Sequence, residues 1–398
     1  MKRRAVALMA LASAVGLACQ DIVSAPGLCP EFCPAGEIRV RDTLLTGVEP
    51  VGSYSGYLLP HEARQVQVVG PGGPAEAQAM IVFVPFNAKY AGGDTTVKDS
   101  IIRTDSLRVR LHIVRRNAGV SGVTLALHEI PITVDSATTY GDMTPYFQDS
   151  TLVATLPVPD SLVMDTVAAT FPAVALRHFG PESLQVGIGV RISSPDPAFV
   201  TLASDSIAVA ARITRFVQVD SSTGTTRVTR SDSWGARFKT FVADPGGFPP
   251  PTGLMVGGAT GARAFVKLNL PASIVDSTLV VRATLLVPPA QPIFGAPGDT
   301  FLLRVIALGS DFGPKSPVAD TSYGGSVRVA VGGSDTVSVD ITKILLLWRG
   351  NPAAPRSLML QLEPEAASIN AVELPGQGSA TPAAIRVTYA LPFRLPGS

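Results

Sequence analysis

The chain has 398 residues, more than one core usually supports, so two domains are expected. Its 32 basic and 31 acidic residues nearly cancel, which leaves no general electrostatic hold on a phosphate backbone and argues against nucleic-acid binding. Only 16% of residues are charged and 46% are hydrophobic, yet 37 glycines and 34 prolines cut the apolar runs into short pieces, a texture that predicts an all-β fold.

Lys2, Arg3 and Arg4 open the chain and precede an apolar run over residues 5–17. That run is shorter than the roughly 20 residues a bilayer-spanning helix needs and fits a secretory leader, with no basic amphipathic helix elsewhere to lie on a membrane. It ends in Gly16-Leu17-Ala18-Cys19, which resembles a bacterial lipobox. The resemblance implies a signal peptide over residues 1–18 and lipid on Cys19. With Gln20 rather than Asp next, it also implies an exported protein anchored to the outer membrane or cell surface. Loss of the three leader cations leaves 29 basic against 31 acidic residues, still near neutrality. Two cysteines remain, Cys29 and Cys33, and an oxidising compartment favours their closure into a disulfide. So small a ring stabilises by only about 2 kcal/mol and shapes a local turn. Two thiols without a neighbouring His or Cys make a poor zinc site. Residues 19–36, rich in Pro and Gly, read as a tether carrying this clasp.

From residue 37 the pattern alternates apolar and polar with period two, the mark of half-buried strands. Strands are predicted over 38–44, 53–59, 65–69, 79–84, 106–114, 123–128 and 152–156, separated by turn clusters such as Gly70-Pro71-Gly72-Gly73-Pro74. A hairpin is expected from 213–220 into 225–230. Residues 244–252 (DPGGFPPPT) are stiff and poor in donors and are the predicted linker between a first β-sandwich over 37–243 and a second over 253–398.

The two halves share an order of elements. Residues 77–86, 105–114 and 123–130 correspond to 262–270, 276–287 and 300–307, and Thr138-Thr139-Tyr140-Gly141 corresponds to Thr321-Ser322-Tyr323-Gly324. Each half then runs into a strand, a short turn and a strand, over 165–192 and 335–364, with His178 or Phe179 standing where the second half has Trp348. In the second copy Asp340 can cap a short helix whose Ile341, Ile344, Leu345 and Trp348 fall on one face.

In the second half, over residues 253–391, the residues 283–287 after Asp276-Ser277-Thr278, Val339-Asp340-Ile341-Thr342 before Trp348-Arg349-Gly350, residues 357–362 and the final strand over 380–389 together resemble the DNRLRE domain family. That resemblance implies tandem jelly-roll-like antiparallel β-sandwiches, each with a short helix near its end, in an exported protein related to carbohydrate-binding modules.

No nucleophile elbow, phosphate loop or dinucleotide fingerprint is present, and His61, His112, His128 and His178 are scattered without metal-ligand spacing. Glu363 and Glu365 flank a proline in a turn rather than face each other. No catalytic residues, metal ligands or cofactors are assigned; Asp299 and Asp311 lie in oxygen-rich loops that read as solvated turns, with structural calcium as the alternative. Tyr140, Tyr146 and Phe147 in one half, with Phe312 and Tyr323 in the other, are the ligand-binding candidates, because aromatic faces pair with the C–H faces of sugars. The chain therefore reads as a non-catalytic surface lipoprotein that binds polysaccharide or mediates adhesion. An envelope component that docks a protein partner is the alternative, ahead of a polysaccharide-active enzyme.

Overall fold

The computed structural model describes residues 40–90, 93–180, 183–203, 210–248 and 250–391. The predicted leader, tether, lipidated Cys19 and Cys29–Cys33 clasp lie outside the described residues. Among the described residues the fold is all-β, every strand pairing is antiparallel, and no helix is long and apolar enough to cross a membrane.

The chain begins with β1 (Val40–Leu45) and β2 (Val48–Tyr54). Next come β3 (Gln65–Val69), β4 (Ala77–Phe83), β5 (Val97–Arg116) and β6 (Thr124–Glu129). A one-turn helix, α1 (Tyr140–Met143), leads to β7 (Leu152–Pro157), β8 (Asp165–Pro172), β9 (Gly187–Ser193) and β10 (Phe199–Ala203). β11 (Arg212–Ser221) and β12 (Arg227–Ala243) form the expected hairpin. The remainder contains β13 (Leu254–Gly257), β14 (Arg263–Leu268), α2 (Ala272–Val275), β15 (Leu279–Val287) and β16 (Thr300–Ala307). It closes with β17 (Gly325–Ala330), β18 (Val337–Asp340), α3 (Thr342–Gly350), β19 (Ser357–Glu363), β20 (Ala371–Leu374) and β21 (Ala384–Ala390). Burial follows sequence pattern strand by strand. β11 alternates because one face is solvated, whereas all seven residues of β4 (AQAMIVF) are buried, as in a strand covered on both faces.

The same neighbour order occurs twice. Strands β7-β6-β9-β4-β12 lie side by side, as do β8-β5-β11-β12. In the second set, β17-β16-β19-β14-β2 and β18-β15-β21-β1 repeat that order, and the pair β13–β20 answers to β3–β10. β12 serves both rows of the first set, pairing through Arg227–Gly235 with β11 and through Ala236–Ala243 with β4. In the second set the role is divided: β1 pairs with β21 and β2 with β14.

The segment Val40–Tyr54 thus differs from the sequence expectation, which placed it with residues 37–243. It hydrogen-bonds instead into strands from beyond residue 253. Period-two alternation identifies a strand but not the edge it joins, and the corresponding edges of the first set are already taken by β12. Each set therefore receives its completing strand from the segment that precedes the other set.

Two large buried clusters result. One is built from β3 to β11 with Phe241, the other from β13 to β21 with Val48. α3 seals the second: Ile341, Ile344, Leu345 and Trp348 are all buried, and Trp348 is 1% exposed. The N-cap is Ile341, without a side-chain cap, and Asp340 just before it accepts a hydrogen bond from the Thr342 amide at 2.8 Å. Burial pushes its carboxyl up, but the Thr342 hydrogen bonds together with Arg282 and Lys343 hold it below the usual carboxylate value. In the first set the matching position carries only a single turn, Ala173–Ala175.

A buried polar cluster joins the two sets. Asp299, whose side chain is fully buried, accepts from Gln67 Nε2 and Asn370 Nδ2, each at 2.7 Å, and pairs with Arg115 at 2.6 Å. Gln67 Oε1 in turn accepts from the Ile369 amide, and Asn370 Oδ1 from the Ala296 amide, both at 3.1 Å. Every buried polar group in this cluster has a partner, which is the condition for its stability.

Candidate functional site

The connections at one end of the first set frame a groove. β6 ends at Glu129 and runs into a long crossover that carries α1 and returns to β7, while a second crossover links β8 to β9. Thr139 starts α1 with a capping box, its hydroxyl accepting from the Asp142 amide while Asp142 accepts from the Thr139 amide. Phe147 is 5% exposed and lies over Gly189 of β9, where a Cβ would stand 2.6 Å from the ring. Glycine is required there because the ring occupies the space a side chain would fill. The ring of His128, the cross-strand partner of Gly189, also lies against Phe147, centroids 5.3 Å apart, with Nδ1 3.2 Å from the Thr151 hydroxyl. Burial, with the nearby Arg191 charge, lowers the His128 pKa.

The groove itself has a volume of about 950 Å³ and lies between the two crossovers. Its apolar lining includes Pro131, Pro145, Tyr146 and Phe179, and its polar lining includes Arg177, His178 and Ser183. The His178 side chain is 81% exposed. Glu129 also lines the groove. Its carboxylate takes the Arg177 and His178 amides, each at 2.9 Å, and lies 3.2 Å from His178 Nδ1. Arg177 also donates to the Ser150 carbonyl at 2.6 Å, stitching the two crossovers together. A carboxylate bonded to two successive backbone amides holds the loop that carries them in place.

The aromatic candidates separate by environment. Tyr146 is half-buried and lines the groove. Phe147 belongs to the core beneath it, and Tyr140 leans on the same cluster with its hydroxyl 3.4 Å from Glu76. Burial, with Glu76 and Asp244 nearby, raises the Tyr140 pKa. Phe312 and Tyr323, 70% and 37% exposed, stand in the corresponding region of the second set and do not line this groove.

The other sequence candidates are occupied by protein partners. Asp299 is the acceptor of the buried cluster, and Asp311 accepts from the Ser357 hydroxyl at 2.9 Å. Glu365 pairs with Arg263 at 2.7 Å, whereas Glu363 lies 3.5 Å from Arg304. His112 Nδ1 is 3.1 Å from the Thr166 hydroxyl, and the His61 ring stacks on Phe238 at 5.6 Å. Among the described residues no group of His, Cys, Asp and Glu is arranged to hold a metal ion. Glu129 and Arg177 carried no motif by which sequence could single them out, since their importance comes from contacts nearly 50 positions apart.

Compared with known proteins, the chain matches no family model, no curated protein and no solved structure.

Proposed function

We propose that the protein is a non-catalytic, exported lipoprotein that binds polysaccharide, with Cys19 as its lipid anchor and the groove above Glu129 as a saccharide site. The observation that carries this reading is the composition of the groove. Tyr146, Phe179 and two prolines offer faces for sugar C–H groups, Arg177, His178 and Ser183 offer hydrogen-bonding groups, and the Glu129 carboxylate holds the Arg177 and His178 backbone. The likeness of the second half to the DNRLRE pattern agrees with it.

The test is affinity electrophoresis of the purified chain through gels containing neutral polysaccharides, with Tyr146→Ala beside it. Retardation by at least one glycan, lost in the variant, is expected. An unretarded chain across a broad panel, or release of reducing ends from the retained glycan, would overturn the reading.

A further inference from the structure

A second feature lies on the outer face of the row β8-β5-β11-β12, away from the groove lining. Along β5, buried Leu107 and Val109 alternate with exposed Arg108 and Arg110. Along β11, buried Ile213, Arg215 and Val217 alternate with half-buried Arg212, Thr214 and Phe216. The register sets Arg212 directly opposite Arg110, and Thr214 opposite Arg108. Such neighbours are about 5 Å apart across an antiparallel pair and about 7 Å apart along a strand, so three guanidinium groups rise from one patch.

Like charges directly opposite one another weaken a sheet. Elsewhere in these strands arginines are neutralised: Arg103 by Asp105 at 2.7 Å, Arg215 by Asp232 at 2.5 Å, and Arg230 by Asp94 at 2.9 Å. Among the described residues Arg108, Arg110 and Arg212 have no carboxylate partner. In the next row Phe216 sits between Ser106 and Ser231 on the neighbouring strands, and the Thr214 hydroxyl donates to Ser233 Oγ at 3.1 Å. The face therefore combines a cationic cluster without a carboxylate partner among the described residues, one aromatic ring and a row of hydroxyls.

We propose that this face binds an acidic polysaccharide. Guanidinium groups donate paired hydrogen bonds to carboxylate or sulfate, Phe216 offers its ring to the C–H face of a sugar, and the hydroxyls bond the sugar's own. Charge complementarity selects an anionic occupant. Three cations are too few for the long stripe that duplex nucleic acid requires, and a half-buried Phe216 offers no apolar wedge to a membrane. The site is independent of the groove and of its proposed ligand.

The test uses the purified chain on immobilised dextran sulfate and polygalacturonate, with uncharged dextran as control. Arg108→Gln/Arg110→Gln/Arg212→Gln is compared with Tyr146→Ala, and the circular dichroism of both is matched to the parent. Retention on at least one acidic matrix is expected, falling with salt, about tenfold or more weaker in the triple variant and unchanged in Tyr146→Ala. Equal elution of the parent and triple variant would overturn the proposal. So would binding to a single-stranded oligonucleotide, or to phosphatidylglycerol vesicles, as tight as to the acidic glycans.

Discussion

At the scale of single residues, the burial of a side chain decides whether a chemically suggestive group has a role in binding or in packing. Trp348 is the largest fully buried side chain, and its indole N–H has no hydrogen-bond partner among the described residues. Trp348→Phe should therefore be tolerated far better than Trp348→Ala, which removes the plug and should cost about 3–5 kcal/mol in urea-induced unfolding. Asp299 is a harsher case. Asp299→Ala strips the acceptor from Arg115, Gln67 and Asn370 at once, and a loss of about 3–5 kcal/mol is expected by the same measurement. His128 titrates in the opposite sense to a histidine that gains an acidic partner. Its folded pKa is depressed by burial, so the unfolded chain takes up the proton first. The stability it contributes is present above the unfolded value of about 6.5 and is lost as pH falls through the folded one. Urea midpoints should drop over that window, and His128→Gln should flatten the drop.

At the scale of elements, neighbouring aromatic residues in the β6–β7 crossover play different parts because a one-residue step changes which side of the loop a ring faces. Tyr146→Ala should leave the thermal midpoint near that of the parent while weakening glycan retardation. Phe147→Ala opens a void over Gly189 and should cost about 3–5 kcal/mol, read from denaturant unfolding. The helix α3 shows how far local signals reach. Its apolar face was legible because 3.6-residue spacing is a property of adjacent residues, whereas the N-cap is Ile341 and Asp340, one residue earlier, bonds the Thr342 amide. The clamp of Glu129 on the Arg177 and His178 amides was not, because it depends on two crossovers meeting at the end of the sheet.

At the scale of the whole molecule, the exchange of completing strands binds the two strand sets into one object. β1 and β2 occupy edges of β21 and β14 that would otherwise present unpaired backbone groups. A chain lacking residues 40–59 should lose cooperative unfolding of the second set, and that set should become sensitive to limited proteolysis. Grafting the same segment after residue 391 through a flexible linker should restore protection, since pairing depends on the edge reached and not on the order in the chain. The buried cluster around Asp299 lies where β3 of one set meets the loop before β20 of the other, so the same variant tests whether the sets unfold together.

The sequence by itself determined the all-β class, many of the strands though not β10, β13, β17 or β20, the hairpin of β11 and β12, the repeated order of elements, and the buried face of α3. All of these follow from period, turn chemistry and spacing within a few residues. Only the tertiary structure decided which edges β1 and β2 complete, that Phe147 belongs to the core while Tyr146 lines a groove, and that Asp299 is held by protein donors. Tertiary structure also set Arg212 opposite Arg110. These are outcomes of register and of contacts between distant segments, and period-two alternation is the same whichever partner a strand finds.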